Sequence, residues 1–188
     1  MLAPDEQQAV GHLPEGEGET LWVLGIFVTL KAHKSEEVSF YEVICPPEAG
    51  PPPNIHYQQD EAFYVVDGTF SFLSGDRSFE TGPGSFVSIP RGTVHTFKNI
   101  GESTGKCLIA STLPGSHEGF FRDVGVPVRD MATFEPPGGP PDMERVLASA
   151  ERNDIHFVQP EERRGSMSAP APTNGGTHEE ARPGVGDG

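Results

Sequence analysis

Short apolar runs separated by glycine- and proline-containing turns dominate residues 61–112. The runs recur about every 8 to 12 residues, a spacing typical of antiparallel strands in a sandwich or barrel. Two dipeptides in EAFYVVDGTFSFLSGDRSFE, Asp67-Gly68 and Gly75-Asp76, supply the φ > 0 conformations that tight hairpins require. This segment therefore predicts an all-β fold that contains two hairpins.

Strand patterns continue on both sides of this segment. LWVLGIFVTLKA predicts one strand with a bulge or bend at Gly25, and VSFYEVICPP predicts a strand that ends at two prolines. GPGSFVSIPRGTVHTFKNIG predicts two short strands around residues 90–92, and KCLIAST predicts another. The 23 glycines and 19 prolines also favour short strands with frequent turns over a helical bundle.

Helical patterns follow the strands. HEGFFRDVG predicts one or two helical turns, and PPDMERVLASAERNDIHF predicts a helix capped by Asp142. Its apolar stripe, which we expect to dock on the sheet, consists of Val146, Leu147 and Ala150.

The length of 188 residues suggests a single domain. We expect this domain over residues 20–158, with a flexible lead-in over 1–19 and a disordered tail over 159–188. No secretory signal or membrane span is apparent, so a cytoplasmic location is the default expectation. Cys45 and Cys107 lie in apolar runs, and we expect two buried free thiols rather than a bridge.

The charge of the chain restricts its partners. A formal net charge of −15 and the lack of basic clusters argue against nucleic acid and against an anionic membrane surface. A small molecule is the expected partner.

Two imidazoles and one carboxylate form the candidate chemical site. His56 and Glu61 lie in PNIHYQQDE, and His95 lies in PRGTVHTF. Alternate residues of a strand face the interior, so side chains of distant strands can meet at one point in a closed sheet. Two imidazoles and a carboxylate can hold a divalent metal and leave positions open for substrate and oxygen. The competing interpretation is a polar pocket that binds no metal.

The spacing around His95 resembles the second motif of the cupin superfamily at every fixed position: Gly84, Pro90, Gly92, His95 and Asn99. The stretch around His56 is similar to the first cupin motif, with matches at His56, Glu61 and Gly68. It departs from that motif at two positions, where Asn54 replaces the first histidine and Glu48 replaces the leading glycine.

The resemblance covers roughly residues 20–158 and is to single-domain quercetin-dioxygenase-like cupins (monocupins). It implies a cupin jelly-roll or β-barrel with a short C-terminal helical segment. It also implies a divalent ion (iron, nickel, manganese, cobalt or zinc) on His56, Glu61 and His95, with Asn54 as a weak ligand or as a group that orients a metal-bound water. Glu61 is then the expected acid/base, and a homodimer is the expected assembly.

Three functions follow from this resemblance. The first is a dioxygenase acting on a flavonol- or polyketide-like oxygenated aromatic, with Phe63, Phe97 and Phe120 forming the substrate pocket. The second is a non-oxidative cyclase or isomerase of natural-product biosynthesis, and the third is a non-catalytic cupin that binds a small molecule. We expect His117 and His156 to be surface or packing residues.

Overall fold

A computed structural model describes residues 12–31 and 38–158, and the expectations for residues 1–11 and 159–188 lie outside this part of the chain. The described residues form twelve strands and two helices. The strands are β1 Glu19–Val23, β2 Ile26–Leu30, β3 Val38–Cys45, β4 Asn54–Ile55, β5 Glu61–Asp67, β6 Phe70–Ser74, β7 Arg77–Thr81, β8 Phe86–Ile89, β9 His95–Asn99, β10 Gly105–Thr112, β11 Val126–Pro127 and β12 His156–Phe157. The helices are α1 Ser116–Val124 and α2 Met143–Arg152.

The strands form two antiparallel sheets. The first has seven strands in the order β11-β1-β2-β3-β10-β5-β8, and the second has five in the order β12-β4-β9-β6-β7. Buried apolar side chains of both sheets form one core. The all-β prediction is confirmed. A closed barrel is not confirmed, because no pairing among the described strands joins the two sheets.

One of the two predicted hairpins is confirmed. Gly75-Asp76 links β6 to β7, with Ser74 opposite Arg77. The Asp67-Gly68 prediction is wrong, because β5 pairs with β10 and β8 and so has no free side for β6. That turn instead carries the chain from the seven-stranded sheet to the five-stranded sheet.

The first apolar run is also divided differently from the prediction. Instead of one bent strand, β1 and β2 form a hairpin whose turn residues Leu24 and Gly25 have φ of 48° and 100°. Two successive positive φ values suit the right-handed twist of the flanking strands.

The C-terminal helices agree with the sequence in most details. Asp142 is the N-cap of α2 and its carboxylate accepts a hydrogen bond from the Arg145 backbone N–H. Val146 and Ala150 are buried, as expected. Leu147 is 50% exposed, so its assignment to the docking stripe is wrong. Consecutive helical residues point about 100° apart, so Leu147 cannot share the face of Val146.

Cys45 and Cys107 are buried and free, as predicted. Among the described residues, no helix is both long and apolar enough to cross a bilayer.

Candidate metal centre

A cavity of about 80 Å³ lies in the core between the two sheets and helix α1. Most of its lining is apolar, and it includes all three predicted pocket residues, Phe63, Phe97 and Phe120. Its polar lining consists of Tyr41, Asn54, His56, Glu61, His95 and His117. No lysine or arginine of the described residues lines it.

The carboxylate of Glu61 is the point where the polar side chains meet. Glu61 Oε2 lies 2.7 Å from His95 Nε2 and 3.6 Å from His56 Nε2. Glu61 Oε1 lies 3.3 Å from His117 Nε2. The Tyr41 hydroxyl donates a hydrogen bond to Oε1 at 3.0 Å. Each of these side chains is buried, so their mutual contacts take the place of water.

Strand alternation explains how the sheets supply two of these groups. In β5, Glu61, Phe63 and Val65 face inward, and in β9, His95 and Phe97 do the same. His56 follows the short strand β4, His117 is the second residue of α1 and Tyr41 lies in β3, so five separate segments build the site.

Each imidazole faces Glu61 with Nε2 and is anchored through its second ring nitrogen, Nδ1. His56 Nδ1 donates to the Asp154 carbonyl at 2.9 Å, and His95 Nδ1 donates to the Thr93 carbonyl at 2.9 Å. Since a carbonyl can only accept, these bonds place the proton on Nδ1 and direct Nε2 into the cavity.

His117 is also anchored at Nδ1, which lies 3.2 Å from Ser111 Oγ, and either of these two atoms can be the donor. Metal-binding histidines generally have their second nitrogen anchored like this. The side chains therefore fit a divalent cation.

The electrostatics of the site follow from burial and from Glu61. Burial raises the pKa of Glu61, but the three imidazoles lower it more, so this carboxyl is ionised at neutral pH. Burial lowers the pKa of His95, but the hydrogen bond and negative charge of Glu61 raise it above its ordinary value. Both ring nitrogens of His95 face acceptors, the Thr93 carbonyl and the Glu61 carboxylate, so the pair is a carboxylate beside an imidazolium.

The other two imidazoles are neutral at pH 7. Burial lowers the pKa of His117 to about 4, despite the charge of Glu61. Burial also lowers the pKa of His56. The phenol of Tyr41 stays protonated because burial, followed by the charge of Glu61, raises its pKa. Neutral imidazoles have the free lone pair that a metal requires.

The structure brings together the predicted residues His56, Glu61 and His95. Asn54 also lines the cavity and lies opposite His95 in the β4–β9 pairing. Its amide nitrogen donates to the Pro52 carbonyl at 3.0 Å. The amide nitrogen of Asn54 is thus engaged by the main chain.

The sequence predicts that His117 is a surface or packing residue, and the surface alternative is wrong. His117 is 5% exposed, it lies in the site, and its Nε2 contacts Glu61. The ligand atoms of His56, Glu61 and His117 all lie within 4.8 Å of one another. A signal was present, because His117, Phe120 and Phe121 have the i, i+3, i+4 spacing of one helical face, and all three are buried.

Comparison with known proteins supports the fold. Residues 41–111 match the protein family described as Cupin domain. No curated protein matches the chain. Among solved structures, an RmlC-like cupin from Shewanella frigidimarina NCIMB 400 is 14% identical, with a TM-score of 0.50 over 57% of this chain and 96% of that one.

Two enzymes of known structure have lower TM-scores. A sugar phosphate isomerase of the cupin superfamily from Silicibacter pomeroyi DSS-3 is 21% identical, with a TM-score of 0.45 over 47% of this chain and 60% of that one. The polyketide cyclase RemF from Streptomyces resistomycificus is 19% identical, with a TM-score of 0.49 over 55% of this chain and 80% of that one. The match to the isomerase thus spans less than two thirds of its length.

Proposed function

We propose that the chain, whose residues 41–111 match the Cupin domain family, is a metal-dependent cupin enzyme whose ion is held by His56, Glu61 and His117. His95 is the proposed fourth ligand, and it must release its Nε2 proton to bind the metal. The observation that carries this proposal is the convergence of three anchored imidazoles on one buried carboxylate. A cluster built only for stability has no need to direct every Nε2 to the same point.

His117 also offers a reason why the asparagine at position 54 is tolerated. The resemblance to cupins expects a histidine there, and His117 contributes an imidazole from α1 instead. The chain then retains three imidazoles and one carboxylate, although one imidazole comes from a helix. Asn54 is left as a neighbour of the site.

Glu61 is the proposed acid/base. A bound divalent metal would polarise an oxygen of the substrate. Glu61 is close enough to its neighbours to exchange a proton within the cavity, since the Tyr41 hydroxyl and His95 Nε2 both lie within hydrogen-bond distance of it. The enclosing apolar side chains exclude water from that proton transfer.

The proposed substrate is an oxygenated aromatic, and the proposed reaction is oxygenation. Aromatic and aliphatic walls suit a planar ring, and the polar cluster suits its hydroxyl or carbonyl oxygens. The cavity of about 80 Å³ is far smaller than the roughly 300 Å³ or more of pockets that bury drug-sized ligands. A flavonol or polyketide therefore requires side chains at the rim, such as Phe120, to move, whereas a single ring requires less movement.

A non-oxidative cyclase or isomerase is the second candidate. The line of hydrogen bonds from Tyr41 through Glu61 to His95 can move protons without an oxidant. Oxygen consumption with substrate would indicate an oxygenase, and product formation without oxygen would indicate the second reaction.

The metal proposal is tested by elemental analysis of protein purified without added metal. We expect a stoichiometric divalent ion in the wild type, lower occupancy in His117→Ala, and recovery in the double variant Asn54→His/His117→Ala. The single variant Asn54→His should bind metal at least as well as the wild type. Equal occupancy in the wild type and His117→Ala would exclude His117 as a ligand.

A homodimer is also proposed, on the cupin resemblance alone. Light scattering of the purified protein tests it, and a monomeric mass would refute it.

A further inference from the structure

Two supports of the candidate metal centre come from the C-terminal helical segment, which we define as residues 116–157. Its helix α1 provides His117, and the main-chain carbonyl of Asp154 holds His56. The segment lies outside the residues that match the cupin family. The sheets alone therefore provide Glu61 and His95 with their supports, but leave His56 without its anchor.

Further hydrogen bonds tie the same segment to the loop that contains His56. Gln59 Nε2 donates to Ser116 Oγ at 2.9 Å, and Ser116 Oγ donates to the Asn153 carbonyl. The Gln58 backbone N–H donates to Asp154 Oδ2 at 2.8 Å. The residue before His117 and the residue before Asp154 are thus linked to each other and to this loop.

Asp154 has a conformation that needs such support. Its φ of 56° is in the left-handed region, which costs a non-glycine residue about 1 kcal/mol or more. Its side chain and its carbonyl are both used, by Gln58 and His56 respectively. These contacts hold the carbonyl in the direction from which it reaches the imidazole.

The segment is also joined to the five-stranded sheet and within itself. β12 pairs with β4, and the Val158 backbone N–H donates to the Pro53 carbonyl at 2.9 Å. The two helices are joined by Asp123, whose carboxylate accepts from Ser149 Oγ at 2.7 Å and from Arg152 Nη2 at 2.8 Å. The segment therefore docks as one unit, and its docking positions both His117 and the carbonyl that anchors His56.

We propose that the C-terminal helical segment completes the metal centre, with His117 as a ligand and Asp154 as a positioning residue for His56, so that metal binding and docking of the segment are one linked equilibrium. This inference rests on the proposed metal centre. Any opening that undocks the segment removes one ligand and loosens another. By linkage, a metal that binds only the docked form opposes that opening by a factor of 1 plus the ratio of its concentration to its dissociation constant.

The test is amide hydrogen exchange of the full chain, first in the presence of a chelator and then with zinc at 100 times its measured dissociation constant. We expect zinc to slow exchange in α1 and α2 about 100-fold. Amides of β7, which pairs at the far edge of the five-stranded sheet, serve as the internal reference and should change much less.

Asp123→Asn shows whether the exchange reports docking. This substitution weakens the contact between the helices outside the cavity, so exchange of α1 and α2 in metal-free protein should accelerate about fivefold. The matched control is Glu42→Gln, which weakens an ion pair with Lys106 between β3 and β10 and should leave helix exchange unchanged.

The outcomes separate this inference from the function on which it rests. If zinc binds in stoichiometric amount but helix exchange stays at its metal-free rate, the linkage is wrong and the metal centre stands. If calorimetry detects no binding of zinc or another divalent ion to the wild type, the metal centre itself is wrong and the linkage falls with it.

Discussion

At the scale of single residues, the candidate centre depends on how a buried carboxylate is kept ionised. Placing Glu61 in an apolar cavity is unfavourable unless donors surround it. Tyr41 and the imidazolium of His95 provide those donors at 3.0 and 2.7 Å. Removing any one donor leaves a buried charge that is only partly satisfied.

Replacing Tyr41 by phenylalanine should reduce the free energy of unfolding by about 1 to 3 kcal/mol, because Glu61 loses a hydrogen bond and the ring remains. Urea unfolding of metal-free protein measures this change. Tyr64→Phe is the matched control, since Tyr64 lies on a strand of the same sheet but is 45% exposed. Equal losses in the two variants would contradict a special role for the Tyr41 hydroxyl.

The lowered pKa of His117 predicts an acid-sensitive fold. Unfolded chains protonate this imidazole below about pH 6.5, and the folded chain does so only below about pH 4. Between these values the unfolded state binds more protons, so stability rises with pH, by at most about 3 kcal/mol from this residue. His95 acts in the opposite sense, because its raised pKa gives stability that is lost as pH rises through the folded value.

Chemical unfolding of metal-free wild type and His117→Gln at several pH values measures this contribution. The variant should have a shallower stability profile between pH 6.5 and 4, since it has no imidazole to protonate there. Parallel profiles would show that His117 does not cause the slope.

The sequence allows part of this centre to be predicted, and the limit has a physical cause. His56, Glu61 and His95 lie in or beside strands at spacings that resemble cupin motifs. His117 is different, because whether a helix turns a given face to the core depends on how that helix docks. Its side chain could be placed only by recognising the amphipathic spacing with Phe120 and Phe121.

At the scale of elements, local turn chemistry is predictable and pairing is less so. Gly75-Asp76 forms the expected hairpin, but Asp67-Gly68 joins two sheets, although both dipeptides allow positive φ. The difference lies in β10, which occupies the side of β5 that a hairpin partner would need. That contact is distant in sequence and leaves no local signature. The short strands β4 and β12 are equally hard to predict from the sequence, since two residues are too few to show an alternation of apolar and polar side chains.

Gly68 and Gly75 provide a test of the turn between the sheets. Both have positive φ, so alanine at either position costs about 1 to 2 kcal/mol in backbone strain. At Gly68, a Cβ would also lie 2.7 Å from Gly105 Cα, whereas at Gly75 no atom lies within 4 Å. Gly68→Ala should therefore lower the melting temperature clearly more than Gly75→Ala, in thermal unfolding followed by circular dichroism. Similar losses would mean that the chain at Gly105 can shift.

At the scale of the whole molecule, the distribution of charge separates surface from cavity. The chain has a formal net charge of −15. Its cavity, by contrast, is lined by a single carboxylate and by no lysine or arginine of the described residues. Enzymes that bind phosphates or acids generally place arginine or lysine beside the anion. The apolar walls therefore favour a ligand that is neutral away from its metal-binding oxygens.

Two single-ring ligands with the same pair of hydroxyl groups can test this charge selection. We expect zinc-loaded protein to bind 4-methylcatechol at least about tenfold more tightly than catechol-4-sulfonate, because the sulfonate must be desolvated against apolar side chains with no lysine or arginine to pair with it. Isothermal titration calorimetry measures both affinities. The preference should persist when salt is raised to 0.5 M, since salt screens repulsion from the acidic surface but does not remove the cost of desolvation. If the preference disappears in high salt, surface charge is its cause. Equal affinities at low salt would show that the ring does not enter the apolar cavity.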